Sequence, residues 1–83
     1  MTENEIIFYG VVWCWQSRRA RRFLDKHNLP YKFINIDKDV EGEKFVLENN
    51  NGMRSVPTIL FPDGSILVEP NNDEITEVLK IEK

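Results

Sequence analysis

The sequence predicts an α/β fold in the order β-α-β-α-β-β-α, a four-stranded mixed sheet with helices on both faces. Three observations predict it. The apolar run Ile6-Ile7-Phe8-Tyr9 and a second strand-like stretch from Tyr31 are separated by one helix-length segment. Strands joined through a helix run parallel, with a right-handed crossover. Two later apolar runs flank Pro62-Asp63-Gly64, a turn signal that folds them into an antiparallel hairpin. Asn71-x-x-Glu74 then has the form of a capping box for a last helix.

The first strand is expected over Glu5–Tyr9, with Gly10 as the break after it. Residues 15–27 read as a helix, with Trp13, Gln16, Ala20, Phe23, Leu24 and His27 on one side at helical spacing. That stripe places Trp13 in the core. Arg18, Arg19, Arg21 and Arg22 fill the rest of the circumference, and Asn28-Leu29-Pro30 stops the helix. Tyr31–Asp37 alternates and is rich in aromatic and β-branched residues, which makes it a strand. Asp39 can cap a second helix from Val40 to Asn50, with Gly42 weakening its first turn and Gly52 near its end. Val56–Phe61 and Ser65–Val68 are the hairpin strands, and Glu69-Pro70 ends the sheet. The last helix has Ile75, Val78 and Leu79 as its apolar stripe.

Eighty-three residues allow one small domain, spanning 1–83, whose core must use nearly every apolar side chain. Hydrophobic residues make up 41% of the chain, which suits a folded globule. One cysteine and one histidine, His27, exclude a disulfide framework and make a Cys/His metal site a poor fit. The net charge of −3, with acids and bases interspersed, gives no nucleic-acid footprint. The acidic start Met1-Thr2-Glu3-Asn4-Glu5 lacks the apolar run of a signal peptide, and no run is long enough to span a membrane. The expected compartment is a reducing cytoplasm, where a free thiol persists.

Cys14 is that thiol. It lies in Val12-Trp13-Cys14-Trp15-Gln16-Ser17, between the first strand and the first helix. Backbone N–H groups and the positive end of a helix dipole converge at such a position and favour negative charge there. An inert core cysteine is the competing reading. Ser17 stands where a second thiol would complete a Cys-x-x-Cys pair.

Three stretches together resemble the glutaredoxin family and its thioredoxin fold. They are Phe8-Tyr9-Gly10 with Trp13-Cys14-Trp15-Gln16-Ser17; Ser55-Val56-Pro57-Thr58; and Asp63-Gly64-Ser65 with Glu69-Pro70-Asn71-Asn72-Asp73. Asn51-Gly52-Met53-Arg54-Ser55-Val56-Pro57-Thr58 is most similar to the mycoredoxin-like branch. The resemblance implies that Pro57 is cis and that its loop lies beside Cys14, with Val56 offering its backbone to an extended thiol ligand. It implies that Cys14 is the nucleophile of thiol–disulfide exchange. It also implies that the helix start at Asn71 and Asn72 binds a ligand carboxylate through backbone N–H groups.

Ser17 has open readings within that frame. In a natural monothiol site its hydroxyl would hydrogen-bond the Cys14 sulfur. Alternatively it replaces a resolving cysteine, or it is a first-turn serine without a role. Trp15, off the helix stripe, is expected to cover part of the ligand groove. Arg18 is nearest the thiol, and Lys32 and Arg54 join it in a positive rim if the fold brings them near. Such a rim would attract the carboxylates of glutathione or of an acidic partner. Two departures bear on the ligand. The usual Gly-Gly before the last helix is Val68-Glu69 here, and the lysine common three residues before the thiol is Val11. Mycothiol therefore stands beside glutathione as the co-substrate, with no tightly bound cofactor.

The leading expectation is a monomeric thiol–disulfide oxidoreductase acting on disulfide-bearing or thiol-conjugated proteins. A second reading is a monothiol protein that bridges a [2Fe–2S] cluster, with two protein cysteines and two glutathione thiols as ligands. Trp15-Gln16 is bulky at that position. A third is a redoxin served by thioredoxin reductase, whose C-terminal signature is absent.

Overall fold

In the computed structural model, residues 5–79 are described, and they form the predicted seven elements in the predicted order. They are β1 (Ile6–Gly10), α1 (Trp15–Lys26), β2 (Tyr31–Asn35), α2 (Val40–Asn49), β3 (Thr58–Leu60), β4 (Ile66–Val68) and α3 (Asn72–Leu79). The sheet order is β2-β1-β3-β4. β1 and β2 are parallel, with Phe8 opposite Phe33. β3 runs antiparallel to both β1 and β4, with Ile59 opposite Phe8 on one side and Leu67 on the other.

Alternation along β1 divides the core between the two faces of the sheet. Ile6 and Phe8 point to one face, where they pack with Ala20 and Leu24 of α1, Ile75 of α3, Ile59 and Phe61. Tyr9 and Val11 belong to the other face, with Ile36 and with Val46 of α2. There the Tyr9 ring stacks on Phe45 at 4.5 Å. Burial and the Asp39 carboxylate raise the Tyr9 phenol above its ordinary range.

The turns follow the sequence signals. The Asp39 carboxylate accepts from the Gly42 N–H at 2.9 Å, capping α2 as expected. Asn71 Oδ1 accepts from the Glu74 N–H at 2.8 Å while Glu74 Oε1 accepts from the Asn71 N–H at 2.9 Å, completing the capping box. In the hairpin, Asp63 Oδ1 accepts from the Ser65 N–H at 2.9 Å. The hairpin strands are shorter than expected, because Pro57 and the turn residues remove ladder partners at their ends.

Gly42 has a packing reason that the sequence does not disclose. A Cβ on it would lie 2.6 Å from Ile34 Cγ2, so glycine lets α2 approach β2. Gly10 ends β1 in a similar squeeze. Its Cβ would meet Phe8 Cε1 at 2.8 Å and Ser17 Oγ at 3.0 Å.

Candidate active site around Cys14

Cys14 is the N-cap residue of α1, with extended backbone angles of φ −87° and ψ 128°. Its carbonyl accepts from the Arg18 N–H at 3.0 Å, so it starts the helix ladder. Its side chain makes no cap hydrogen bond. The sulfur is therefore not committed to the helix end it sits on. It is a free, half-buried thiol that packs against the Tyr9, Val11, Ile36 and Val46 cluster.

Val56 packs against that same cluster, which brings the Val-Pro loop to the side of the sheet that carries Cys14. The Val56–Pro57 peptide is cis and Pro57 is fully buried. The loop is held from below. Thr58 Oγ1 donates to the Ser55 carbonyl at 2.8 Å, and Asn50 Nδ2 donates to Thr58 Oγ1 at 3.3 Å. The Glu69 N–H donates to the Pro57 carbonyl at 2.7 Å, from a residue held at φ 51°. Glycine adopts that angle without the Cβ clash, which is the physical consequence of Glu69 at this position.

The two tryptophans differ from expectation in one case. Trp15 is 62% exposed, as its place off the helix stripe implies. Arg19 lies over its ring, 5.0 Å from the centroid. Trp13 was expected in the core and is instead 64% exposed. Helical spacing does not apply to it, because α1 starts only at Trp15. Its indole Nε1 donates to Asp37 Oδ2 at 2.7 Å. The buried residues of α1 are Ser17, Ala20 and Leu24, and Gln16 lies at the border.

Ser17 is 0% exposed, and its hydroxyl oxygen has no hydrogen-bond partner. The hydrogen bond to the Cys14 sulfur expected in a monothiol site is absent. Ser17 instead fills space against β1, where Gly10 makes room for it.

Arg54 does not carry a free charge toward the thiol. It donates through Nη2 to Asp37 Oδ1 and through Nε to Glu43 Oε2, the latter at 2.8 Å. Asp37 thereby joins Trp13, next to the thiol, with Arg54, next to the Val-Pro loop. The Trp13 indole, then Arg54, hold the Asp37 carboxyl below its usual range. Glu43 and then Asp37 stabilise the charged guanidinium. Asp37 and Asn50 are the site-supporting residues that the sequence did not disclose. Each acts across 24 or 8 residues of chain, and no local spacing encodes such a contact.

At the start of α3, the capping box engages the Asn71 and Glu74 N–H groups internally. Asn72 Oδ1 is shielded from solvent and has no partner. Among the described residues, no group of three or more His, Cys, Asp and Glu side chains is placed to hold a metal ion, and no helix is long and apolar enough to cross a membrane.

A single half-buried thiol at a helix start, with an X-cis-Pro loop packed on the same cluster, defines the site of a thioredoxin-like thiol protein. The glutaredoxin family model matches residues 6–66, and the chain belongs to the glutaredoxin family. It is 33% identical over 75 residues to a candidate glutaredoxin of Mycobacterium tuberculosis, covering 90% of this chain and 89% of that one. It is 32% identical over 79 residues to mycoredoxin 1 of Corynebacterium glutamicum, covering 95% of each. Among solved structures, a glutaredoxin from Archaeoglobus fulgidus matches with a TM-score of 0.74 and 25% identity, over 93% of this chain and 87% of that chain. A thioredoxin-like protein matches in fold with a TM-score of 0.84 and 23% identity, over 99% of this chain and all of the other.

Proposed function

We propose that this chain reduces mixed disulfides between proteins and a low-molecular-weight thiol, with Cys14 as the nucleophile. The observation that carries this is the half-buried Cys14 at the N-cap of α1, its sulfur free of any cap hydrogen bond. The Cys14 thiolate attacks the small-thiol sulfur of the mixed disulfide and releases the protein thiolate, which takes up a proton. A second small thiol, as thiolate, attacks the Cys14 adduct. The products are the symmetrical small-molecule disulfide and regenerated Cys14. Each turnover consumes one free small thiol and releases one protein thiol, the small-molecule disulfide carrying off the oxidising equivalents.

Trp15 and Val56 flank the disulfide as it reaches Cys14, and the buried cis Pro57 sets the direction of the Val56 backbone. Asn71 and Asn72, at the first turn of α3, take the carboxylate of glutathione where that is the co-substrate. Two of the N–H groups there already serve the capping box, so the ligand relies on the remaining ones or displaces Glu74. Arg54 acts through its ties to Asp37 and Glu43, as a support of the loop. The co-substrate is glutathione or mycothiol. The exposed Glu69 disfavours the more anionic approach, and similarity to mycoredoxin 1 supports the second choice. The chain works as a monomer in a reducing compartment such as the cytoplasm. Ser17 takes no chemical part. A natural monothiol site and a replaced resolving cysteine lead to the same chemistry here, because no second thiol is present.

The test is turnover of a peptide conjugated to glutathione or to mycothiol, by the native chain and by C14S. Loss of turnover in C14S is expected. Turnover near the native rate in C14S would overturn the mechanism.

A further inference from the structure

Helix α1 carries a charge pattern that neither its folding nor the thiol chemistry requires. Its twelve residues include four arginines and Lys26 against one acid, Asp25, in a chain of net charge −3. Arg18, Arg22 and Lys26 recur at every fourth position, so like charges adjoin along one face and repel. Cations in the first turns also oppose the positive end of the helix dipole. All three are exposed, and none pairs with a carboxylate among the described residues. Arg21 differs, since its Nε donates to the Tyr31 hydroxyl at 3.2 Å and its guanidinium covers Phe33 at 4.0 Å.

Two of these charges, Arg22 and Lys26, border a groove. A cavity of about 280 Å³ is lined by Arg19, Arg22, Phe23, Lys26 and Asn72, between α1 and the start of α3. It offers cationic walls, one aromatic ring and Asn72, whose Oδ1 is shielded and lacks a donor. Arg19, on its lining, lies over the ring of Trp15, the residue after Cys14.

We propose that this groove docks an acidic, extended segment of the protein substrate whose mixed disulfide reaches Cys14. The inference rests on the function proposed above and names the partner's chemistry. Carboxylates of the segment pair with Arg22 and Lys26. From Arg19 to Lys26 the helix rises about 10 Å, the length of some three extended residues. A short acidic peptide fits that span. A nucleic acid would continue past it onto a surface where acids outnumber bases. Paired charges of this kind act mainly on encounter rate and on choice of partner.

The test uses two peptides that differ only in a flank of three Glu or three Gln. Each is prepared as a small-thiol mixed disulfide and as a fluorescent, cysteine-free form. At low salt the native chain is expected to bind the Glu form and to turn over its disulfide about tenfold better, a preference that shrinks as salt rises. R22Q/K26Q should remove the preference and R22E/K26E should reverse it. Both should leave reduction of a small uncharged disulfide unchanged. Equal binding of the two peptides by the native chain would overturn the proposal, as would a preference that survives R22E/K26E. So would binding of an oligouridylate as tight as that of the Glu peptide. The cysteine-free peptides read docking without chemistry, so failure of the oxidoreductase reading appears separately, as binding without turnover.

Discussion

Replacing Ser17 with alanine isolates the cost of a buried, unpartnered hydroxyl. Ser17 is 0% exposed and its Oγ has no hydrogen-bond partner. A buried hydroxyl left unpaired costs roughly 1–3 kcal/mol of desolvation. Alanine is also the better helix former, by about 0.5 kcal/mol. Against this stands an oxygen-sized void, which costs a few tenths of a kcal/mol at about 24 cal/mol per Å³. The three terms favour S17A by about 1–3 kcal/mol net. For a chain of this size each kcal/mol raises Tm by roughly 4–8 °C. In urea, with a slope near 1 kcal/mol per M, the midpoint should rise by about 1 M or more. Urea unfolding of native chain and S17A, with unchanged slope, reads the difference. Destabilisation of S17A by about 1 kcal/mol would refute the reasoning, because it would mean that the hydroxyl has a partner. The same variant bears on chemistry. If the hydroxyl assists the Cys14 sulfur, S17A loses turnover; the geometry predicts that it keeps it.

Other perturbations follow the same geometry. G10A sets a Cβ 2.8 Å from Phe8 and 3.0 Å from Ser17, so urea unfolding should show a loss of about 1–3 kcal/mol. N71A removes the side chain that caps the Glu74 N–H and should cost about 1 kcal/mol, read by thermal unfolding. Asp37 has its carboxyl lowered by the Trp13 indole and by Arg54. Its contribution is therefore present above the usual carboxylate range and is lost only as pH falls through the lowered value of the folded state. The near-UV dichroism of Trp13 should hold through the ordinary carboxylate range and change below it. D37N should abolish that change, whereas a native transition in the ordinary range would contradict the assignment.

The topology was legible because local signals agreed with one another. The Pro62-Asp63-Gly64 turn, the Asp39 cap and the Asn71/Glu74 box are short-range devices, and each forms as its residues dictate. The position of Cys14 was legible for the same reason, since a strand end and a helix start bracket it. Trp13 was misplaced because helical spacing was extended two residues beyond the point where α1 begins. The burial of Ser17 was hidden, because polar side chains rarely enter an apolar stripe without partners. Arg54, read as a charge near the thiol, is engaged by Asp37 and Glu43, which lie 17 and 11 residues away. Contacts of that reach depend on how loops close over the sheet, and no periodicity records them. Gly42 looked like a weak point of α2 and is a point of close approach to Ile34.

The central claim is that the Cys14 sulfur takes the small thiol from a conjugated protein. Intact-mass measurement after one exposure to a glutathione- or mycothiol-conjugated peptide tests it directly. The chain has one cysteine, so any thiol adduct belongs to Cys14. The predicted result is a gain of one small-thiol mass, matched by an equal amount of freed peptide thiol. Freed peptide with no adduct on the chain, or an adduct carrying the peptide in place of the small thiol, would contradict it.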